Sequence, residues 1–334
     1  MLRAAIVGCG GIASVHKRVL MGLQEAELIA CCDIKKDKAK AFAEDSNMRV
    51  YECIEELIEK EKPDVVHLCV PHPLHTPMAK YCVENGVNVF TEKPPVVNTA
   101  QWDMFYRLKD SDRYVGICFQ NRYNHSVKKM KEIIDSDEMG KVIGARAFLT
   151  WNRNAEYYLN SDWRGSWKTE GGGVLINQAI HTLDLLVYLL GKVKNADCHM
   201  CNHSLQETIE VEDTAEAYIR FESGVNACFY ATNAYCMNAP VMVELVMQKG
   251  ILRMEGDSLT VQFLDGSAKH MEITNKPRFD KDYWGNSHYD CISDFYKAII
   301  EKRPFNNDIE HVKETMKLMI SMYEAFTGKK IPAC

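Results

Sequence analysis

Several things are missing from this 334-residue sequence, and each absence closes a class of function. No apolar run approaches the ~20 residues that a membrane-crossing helix needs. No block of Lys and Arg marks a nucleic-acid face, and the net charge of −6 points the same way. CxxC motifs do not occur in the paired arrangement of a structural zinc, so no metal is expected. No internal repeat, low-complexity tract or disordered tail is visible. No leader pattern precedes the first strand-like segment. Cysteine, by contrast, is abundant at 13 residues, an odd number. Most of these cysteines sit in apolar runs, such as Cys69, Cys82, Cys118 and Cys228, where a thiol packs as a small hydrophobe. That usage predicts a reducing, cytoplasmic compartment.

What is present reads as two domains, 1–120 and 121–334. The first alternates short apolar runs with helical patterns. Ala4–Val7, Leu28–Cys32, Val65–Val70, Val87–Phe90 and Tyr114–Phe119 are strand-like, and helices fill the intervals. Repeated βα units of this length predict a doubly wound parallel sheet. After Phe119 the strand-like segments follow one another: Ile143–Thr150, Thr214–Phe221, Val225–Asn233, Val241–Met247, Ile251–Glu255, Leu259–Phe263 and Lys269–Thr274. Turn residues such as Glu222-Ser223-Gly224 separate them. One strong helix is predicted over Leu175–Leu190, and two more close the chain over about His288–Glu301 and Ile309–Phe326. The second domain is therefore α+β, with a large and mostly antiparallel sheet.

The clearest chemical signal is Gly8-Cys9-Gly10-Gly11-Ile12-Ala13. It follows a predicted strand and opens a predicted helix. Glycines there allow backbone N–H groups to approach a diphosphate, and the helix N-terminus adds partial positive charge. Asp33 ends the second strand, where a carboxylate accepts from adenosine ribose hydroxyls and repels a 2′-phosphate. NAD is thus the expected cofactor, with Lys35 and Lys36 leaving NADP open. Two further loops fall at strand carboxyl ends, where ligands of open α/β sheets lie. The first holds Pro71, His72 and His75. The second is Thr91-Glu92-Lys93-Pro94-Pro95, whose prolines stiffen the backbone around Glu92 and Lys93.

Taken together, Gly8–Ala13, Glu92-Lys93-Pro94, and Gly171-Gly172-Gly173 leading into His181-Thr182-Leu183-Asp184 resemble the Gfo/Idh/MocA family. This family is named for glucose–fructose oxidoreductase, inositol dehydrogenase and rhizopine catabolism. Asp294-Phe295 with Ala298-Ile299 adds to the likeness. The resemblance implies a Rossmann domain followed by an open-faced sheet domain that packs against another subunit as a homodimer or homotetramer. It also implies that Lys93 lies beside the nicotinamide and the reacting hydroxyl, and that His181 reaches the same point. Asn177, His181 and Asp184 are spaced i, i+4, i+7, which predicts one helical face. Many family members carry Asp where this chain has Asn177; an amide cannot act as a base, but it can still hydrogen-bond a hydroxyl, so Asn177 is expected at the substrate.

The expected chemistry is hydride transfer between NAD and a secondary hydroxyl of a sugar, sugar derivative or cyclitol. Imidazole titrates near ~6.5, so His181 is the expected base and Lys93 the proton relay and hydroxyl-orienting donor. Gln120 is expected at the cofactor. Arg122, Trp163, Arg164, Tyr283 and His288 are expected at the substrate, because aromatics stack on sugar faces and Arg donates to hydroxyls. Two other readings stay open at this point. A retained NAD could serve epimerisation or glycoside cleavage without net redox change. The chain could also be an NAD- or sugar-sensing regulator, although the pairing of Lys93 with His181 argues against a sensor.

Overall fold

The structure is a computed structural model, and it describes residues 1–273 and 287–326. The chain opens with β1 (Leu2–Val7), α1 (Gly11–Gly22), β2 (Ala26–Cys32), α2 (Lys36–Ala43), β3 (Arg49–Tyr51) and α3 (Ile54–Glu61). It continues through β4 (Val65–Leu68), α4 (His72–Glu84), β5 (Asn88–Thr91), α5 (Thr99–Tyr106) and β6 (Val115–Ile117). These strands form a six-stranded sheet in the order β3-β2-β1-β4-β5-β6, parallel throughout. The order reverses direction between β1 and β4, and that switch point is where an open α/β sheet takes a ligand. Helices cover both faces, which is why Ala4–Val7, Val65–Leu68 and Asn88–Thr91 are buried without alternation.

Next come α6 (His125–Asp135), β7 (Val142–Thr150), α7 (Ala155–Leu159), α8 (Val174–Asn177) and α9 (Ile180–Leu190). Seven strands follow: β8 (Val193–Cys201), β9 (Thr214–Phe221), β10 (Asn226–Thr232), β11 (Met242–Met247), β12 (Gly250–Glu255), β13 (Ser258–Phe263) and β14 (Ala268–Glu272). Their sheet has the order β14-β13-β12-β11-β7-β10-β9-β8, antiparallel except for the β10–β7 pair. Residues alternate along β9 and β10, as expected when one face packs on helices such as α9 and the other does not. On the outer face Glu244 stands in register between Arg146 and Arg253 and accepts from both guanidinium groups, at 2.7 and 2.6 Å. The chain closes with α10 (His288–Glu301) and α11 (Ile309–Glu324).

The chain divides into two compact units. The first is Met1–Phe119 with His288–Lys313, and the second is Gln120–Ser287 with the chain from Glu314 onward. This departs from the expected domains, in which everything after residue 120 was one body. The physical reason is an aromatic cluster. The Phe295 ring of α10 packs tilted against Phe90 of β5 at 5.1 Å and edge-on against Phe305 at 5.2 Å between centroids. Gly116 of β6 makes room for it, since a Cβ there would lie 2.6 Å from the Phe295 ring. Two local expectations also change. The predicted helix 175–190 is interrupted after Asn177, where the Ala179 N–H donates to the Val174 carbonyl at 2.8 Å, an i→i−5 bond that widens the turn. Asn177, His181 and Asp184 therefore do not share one unbroken helical face. Among the cysteines, Cys198 and Cys201 have CxxC spacing on β8, but Cys198 Sγ lies 3.5 Å from the Met322 carbonyl and Cys201 is disulfide-bonded. Eleven others are free thiols, including Cys198.

Candidate functional site

The glycine turn sits at the switch point of the first sheet. Gly8 has φ +88°, and a Cβ there would lie 2.4 Å from the Cys69 carbonyl at the end of β4. Only glycine allows the turns after β1 and β4 to approach so closely. Gly10 caps α1 with no side-chain hydrogen bond, and a Cβ on Gly10 or Gly11 would meet no described atom within 4 Å. The start of α1 thus has room beside Gly10 and Gly11, and the first N–H groups of a helix lack intrahelical acceptors, as an anion cradle requires. Asp33 borders the turn: its carboxylate accepts from the N–H of Cys9 and of Lys35, both at 2.9 Å. Ile12 is half-buried and Ala13 is buried behind the turn. Cradle, helix end and carboxylate fit a dinucleotide.

Behind this turn runs a buried polar chain that sequence reasoning did not find. Glu92 Oε1 accepts from His16 Nε2 at 3.0 Å. His16 Nδ1 lies 2.8 Å from His67 Nδ1, and His67 Nε2 lies 3.0 Å from the Tyr296 hydroxyl. A carboxylate can only accept, so His16 Nε2 is the donor to Glu92, and the ring nitrogens and the hydroxyl carry the chain on from His16 through His67 to Tyr296. Burial holds His67 well below the usual imidazole range, consistent with a neutral ring. Burial pushes Glu92 up, but the His16 hydrogen bond and the charges of His16, His288 and Lys93 outweigh it and hold the carboxylate below its usual range. Cys118 Sγ lies with His16 and Glu92 in one cluster, all within 4.8 Å.

Glu92 thus turns inward and anchors the segment that presents Lys93. The Lys93 N–H donates to Glu92 Oε2 at 3.3 Å, and Lys93 itself is half-buried. From α4, His75 Nδ1 meets the Pro94 carbonyl at 2.6 Å and the Thr76 hydroxyl donates to the Pro95 carbonyl at 2.7 Å. Pro71 caps α4 and His72 is its first residue, so the helix begins three residues before the expected His75. Both histidines are buried.

In the second unit the polar residues gather around Glu170. This buried carboxylate accepts from Asn177 Nδ2 at 2.5 Å and from the Gly165 N–H at 2.6 Å. Burial pushes it up to about 7, against the hydrogen bonds and the nearby Arg164 charge. Glu212 also rises to about 7 through burial, although it accepts from the N–H groups of Gly173 and Leu175 and from the Tyr323 hydroxyl. Asn233 Nδ2 donates to the Tyr158 hydroxyl and to Gln178 Oε1, each at 3.0 Å, and Gln178 Nε2 donates to Tyr157 at 3.1 Å. Arg164 lies over the Tyr157 and Trp163 rings at 4.4 and 5.0 Å. Its Nε and Asn233 Oδ1 are buried with no hydrogen-bond partner among the described residues. Such a concentration of hydroxyl, amide and guanidinium groups suits a hydroxylated ligand. Glu170 adjoins the glycine triplet, and that adjacency was the one local signal for it. His16, Tyr157 and Asn233 had none.

The remaining candidates fall in varied places. His181 is half-buried on α9. Gln120 is buried at the start of the second unit. Arg122 is buried and gives a bidentate pair to Asp184 at 2.6 and 2.8 Å, and Thr315 donates to the same carboxylate at 2.7 Å. Asp184 is therefore an anchor for Arg122. His288 lies in the first unit, and burial pushes it down to about 4. Tyr283 lies outside the described residues.

Comparison with known proteins places this arrangement. A profile described as "Oxidoreductase family, NAD-binding Rossmann fold" matches residues 2–116, and "GFO/IDH/MocA C-terminal domain" matches residues 127–253. D-glucoside 3-dehydrogenase of Escherichia coli is 29% identical over 59% of this chain and 57% of its own length. Myo-inositol 2-dehydrogenase of Thermotoga maritima is 27% identical over 67% of this chain and 66% of its own. The matches thus span somewhat under two thirds of these relatives. The WlbA dehydrogenase of Chromobacterium violaceum, solved with NADH and UDP-GlcNAcA, superposes with a TM-score of 0.84 at 26% identity, over 97% of this chain and 93% of that one. No helix among the described residues is long and apolar enough to cross a membrane. With both halves matched in order, the chain belongs to the Gfo/Idh/MocA family, and its N-terminal domain is the family's NAD-binding Rossmann fold.

Proposed function

We propose that this chain is an NAD-dependent dehydrogenase acting on a secondary hydroxyl of a sugar, sugar derivative or cyclitol. The observation that carries the reading is the open glycine turn at the β1/β4 switch point with Asp33 at its border. The names of the two relatives and the ligand of WlbA share a polyhydroxylated ring, which supports the substrate class. Bound NAD supplies the hydride acceptor. The N–H groups at Gly10 and Gly11 hold the diphosphate, and Asp33 accepts from ribose hydroxyls and disfavours NADP. Pro71, His72, His75 and Gln120 shape the cofactor site, and Glu92 fixes the backbone that carries Lys93.

In this reading His181 takes the hydroxyl proton, while Lys93 donates to the same oxygen and passes charge to solvent. Asn177, Trp163 and Arg164 bind the ring. Arg122, tied to Asp184, and His288, buried beside Glu92, hold the framework instead of touching substrate. The reading includes a cytoplasmic location, from the many free thiols, and a homodimer or homotetramer. The assembly would use the outer sheet face, where Phe148, Tyr218, Tyr230 and Val246 lie beside the Arg146–Glu244–Arg253 row. Light scattering on the purified protein reports that mass directly.

A screen of sugars, sugar derivatives and inositols with NAD, followed at the reduced-nicotinamide absorbance, tests the activity. Lys93→Ala and His181→Ala are each expected to lower turnover by ~10²–10⁴ with NADH binding retained. Near-normal turnover in either variant would remove that residue from the mechanism.

A further inference from the structure

His16, Glu92 and Cys118 come from separate segments of the first unit, yet they offer a nitrogen, an oxygen and a sulfur within 4.8 Å of one another. The backbone brings them together. His16 is on the buried side of α1, while Glu92 and Cys118 directly follow the paired strands β5 and β6. The Glu92 N–H donates to the Leu68 carbonyl and the Cys118 N–H to the Thr91 carbonyl, each at 2.9 Å. All three side chains are buried. The Cys118 thiol is also in side-chain contact with Cys291 of α10, which is buried too. The dehydrogenase reading uses Glu92 to fix a backbone and gives these two thiols no part.

We propose that His16 Nε2, the Glu92 carboxylate and the Cys118 thiolate form a binding site for zinc(II), with Cys291 beside the fourth position. An imidazole, a carboxylate and a thiolate suit a borderline-soft cation with four ligands, and they disfavour magnesium and calcium. Bond lengths of about 2.0–2.3 Å place neighbouring donors of a tetrahedral zinc roughly 3.5 Å apart. The His16–Glu92 contact of 3.0 Å must open by about 0.5 Å and Cys118 must close in by about 1 Å at most, which side-chain rotation supplies. Glu92 and the thiolate together cancel the charge of the ion, as burial requires. Zinc takes the place of the Cys118 thiol proton, which passes to solvent, and no electron moves. A ligating histidine is held through its other ring nitrogen. His16 has that hold: Nδ1 lies 2.8 Å from His67 Nδ1, and His67 Nε2 lies 3.0 Å from the Tyr296 hydroxyl. Without metal, His16 Nε2 carries the proton that Glu92 accepts. With zinc on Nε2, the His16 ring proton sits on Nδ1 and is donated to His67. The three ligands are far apart in sequence, so no cysteine spacing announces them.

The test uses full-length protein stripped with EDTA under reducing, anaerobic conditions and reloaded with zinc(II), or with cobalt(II) as a spectroscopic probe. We expect one zinc per chain to survive dialysis. Cobalt should give the visible bands of a tetrahedral ion and a thiolate-to-metal charge-transfer band. Cys118→Ser should lose that band and weaken zinc binding at least ~100-fold, and His67→Phe, which removes only the hold on His16, should weaken it ~10–100-fold. Cys53→Ser, at an exposed thiol, should change neither readout. Should the variants fail to fold, wild type loaded with ¹¹³Cd decides, because its resonance should couple to one imidazole nitrogen in ¹⁵N-histidine protein. No retained zinc, a six-coordinate cobalt spectrum, cadmium without nitrogen coupling, or Cys118→Ser binding as tightly as wild type overturns the proposal. Zinc that is lost in Cys53→Ser and kept in Cys118→Ser is held by surface thiols, and overturns it too. Each readout follows the metal alone, so the outcome is separate from that of the sugar screen.

Discussion

Glu92 in the first unit and Glu170 in the second are both buried and both accept hydrogen bonds, yet their protons are driven in opposite directions. Glu92 accepts a hydrogen bond from His16 and lies near Lys93, and the hydrogen bond together with the nearby positive charge overcomes burial. Around Glu170 an amide, a backbone N–H and the Arg164 charge lower it, Glu212 opposes them, and burial prevails. Dipoles alone do not replace a cation at such depth. The first unit thus stores a fixed negative charge under Lys93, while the second keeps a carboxyl that can change state near neutrality.

The sharpest way to break this comparison is to remove the fixed charge. Glu92→Leu strands His16 and leaves Lys93 without its buried counter-ion, and is expected to cost about 3 kcal/mol, read from the urea midpoint. The sign of its pH dependence follows from the depressed value. The Glu92 contribution is present above the unfolded carboxylate value and is lost only as pH falls through the lower folded one. The advantage of wild type over Glu92→Leu should therefore persist from pH 5 to 8 and shrink in acid. A uniform difference down to pH 2 would contradict it.

Glu170 should behave in the reverse sense. Its folded value of about 7 lies above the ordinary 4.5, so its contribution is complete below 4.5 and is lost as pH rises toward 7. Across that window wild type should lose ~3 kcal/mol relative to Glu170→Gln. Melting temperatures of the two proteins should diverge between pH 4.5 and about 7 and keep a constant gap above it, and curves parallel from pH 4.5 upward would show that Glu170 ionises normally. The smallest effect is expected from Arg164→Ala. Removing this cation moves the Glu170 midpoint further upward, visible as an upward shift of the pH range over which melting temperature falls relative to Glu170→Gln. A downward shift would mean that Arg164 acts through packing alone.

Much of the scaffold could be read from residue order. Strands buried on both faces show as unbroken apolar runs at Ala4–Val7 and Val65–Leu68, and the succession of strand-like segments after Phe119 marked a mostly antiparallel sheet. The phosphate turn was equally legible, because its glycines are contiguous and their backbone conformation is a local property. What escaped was non-local. His16 meets Glu92 across 76 residues, and Asn233 meets Gln178 across 55, with nothing in either neighbourhood to announce the partner. Val193–Cys201 was overlooked as a strand because it lies at the sheet edge, where few of its residues need to be apolar. Arg122 looked like a ligand-facing cation, since a buried ion pair with Asp184 cannot be told from an exposed Arg by composition.

The pocket that Gly116 leaves for the Phe295 ring also bears on how the molecule is made. The last wedge of the nucleotide-binding core is supplied by Phe295, Tyr296 and Phe305, which leave the ribosome long after the sheet they complete. The N-terminal strands must therefore wait, with the flank of β5 and β6 uncovered, while the entire second sheet is being synthesised. During that interval the nascent chain leaves the aromatic ring of Phe90 without its partners, and only residue 305 completes the cluster.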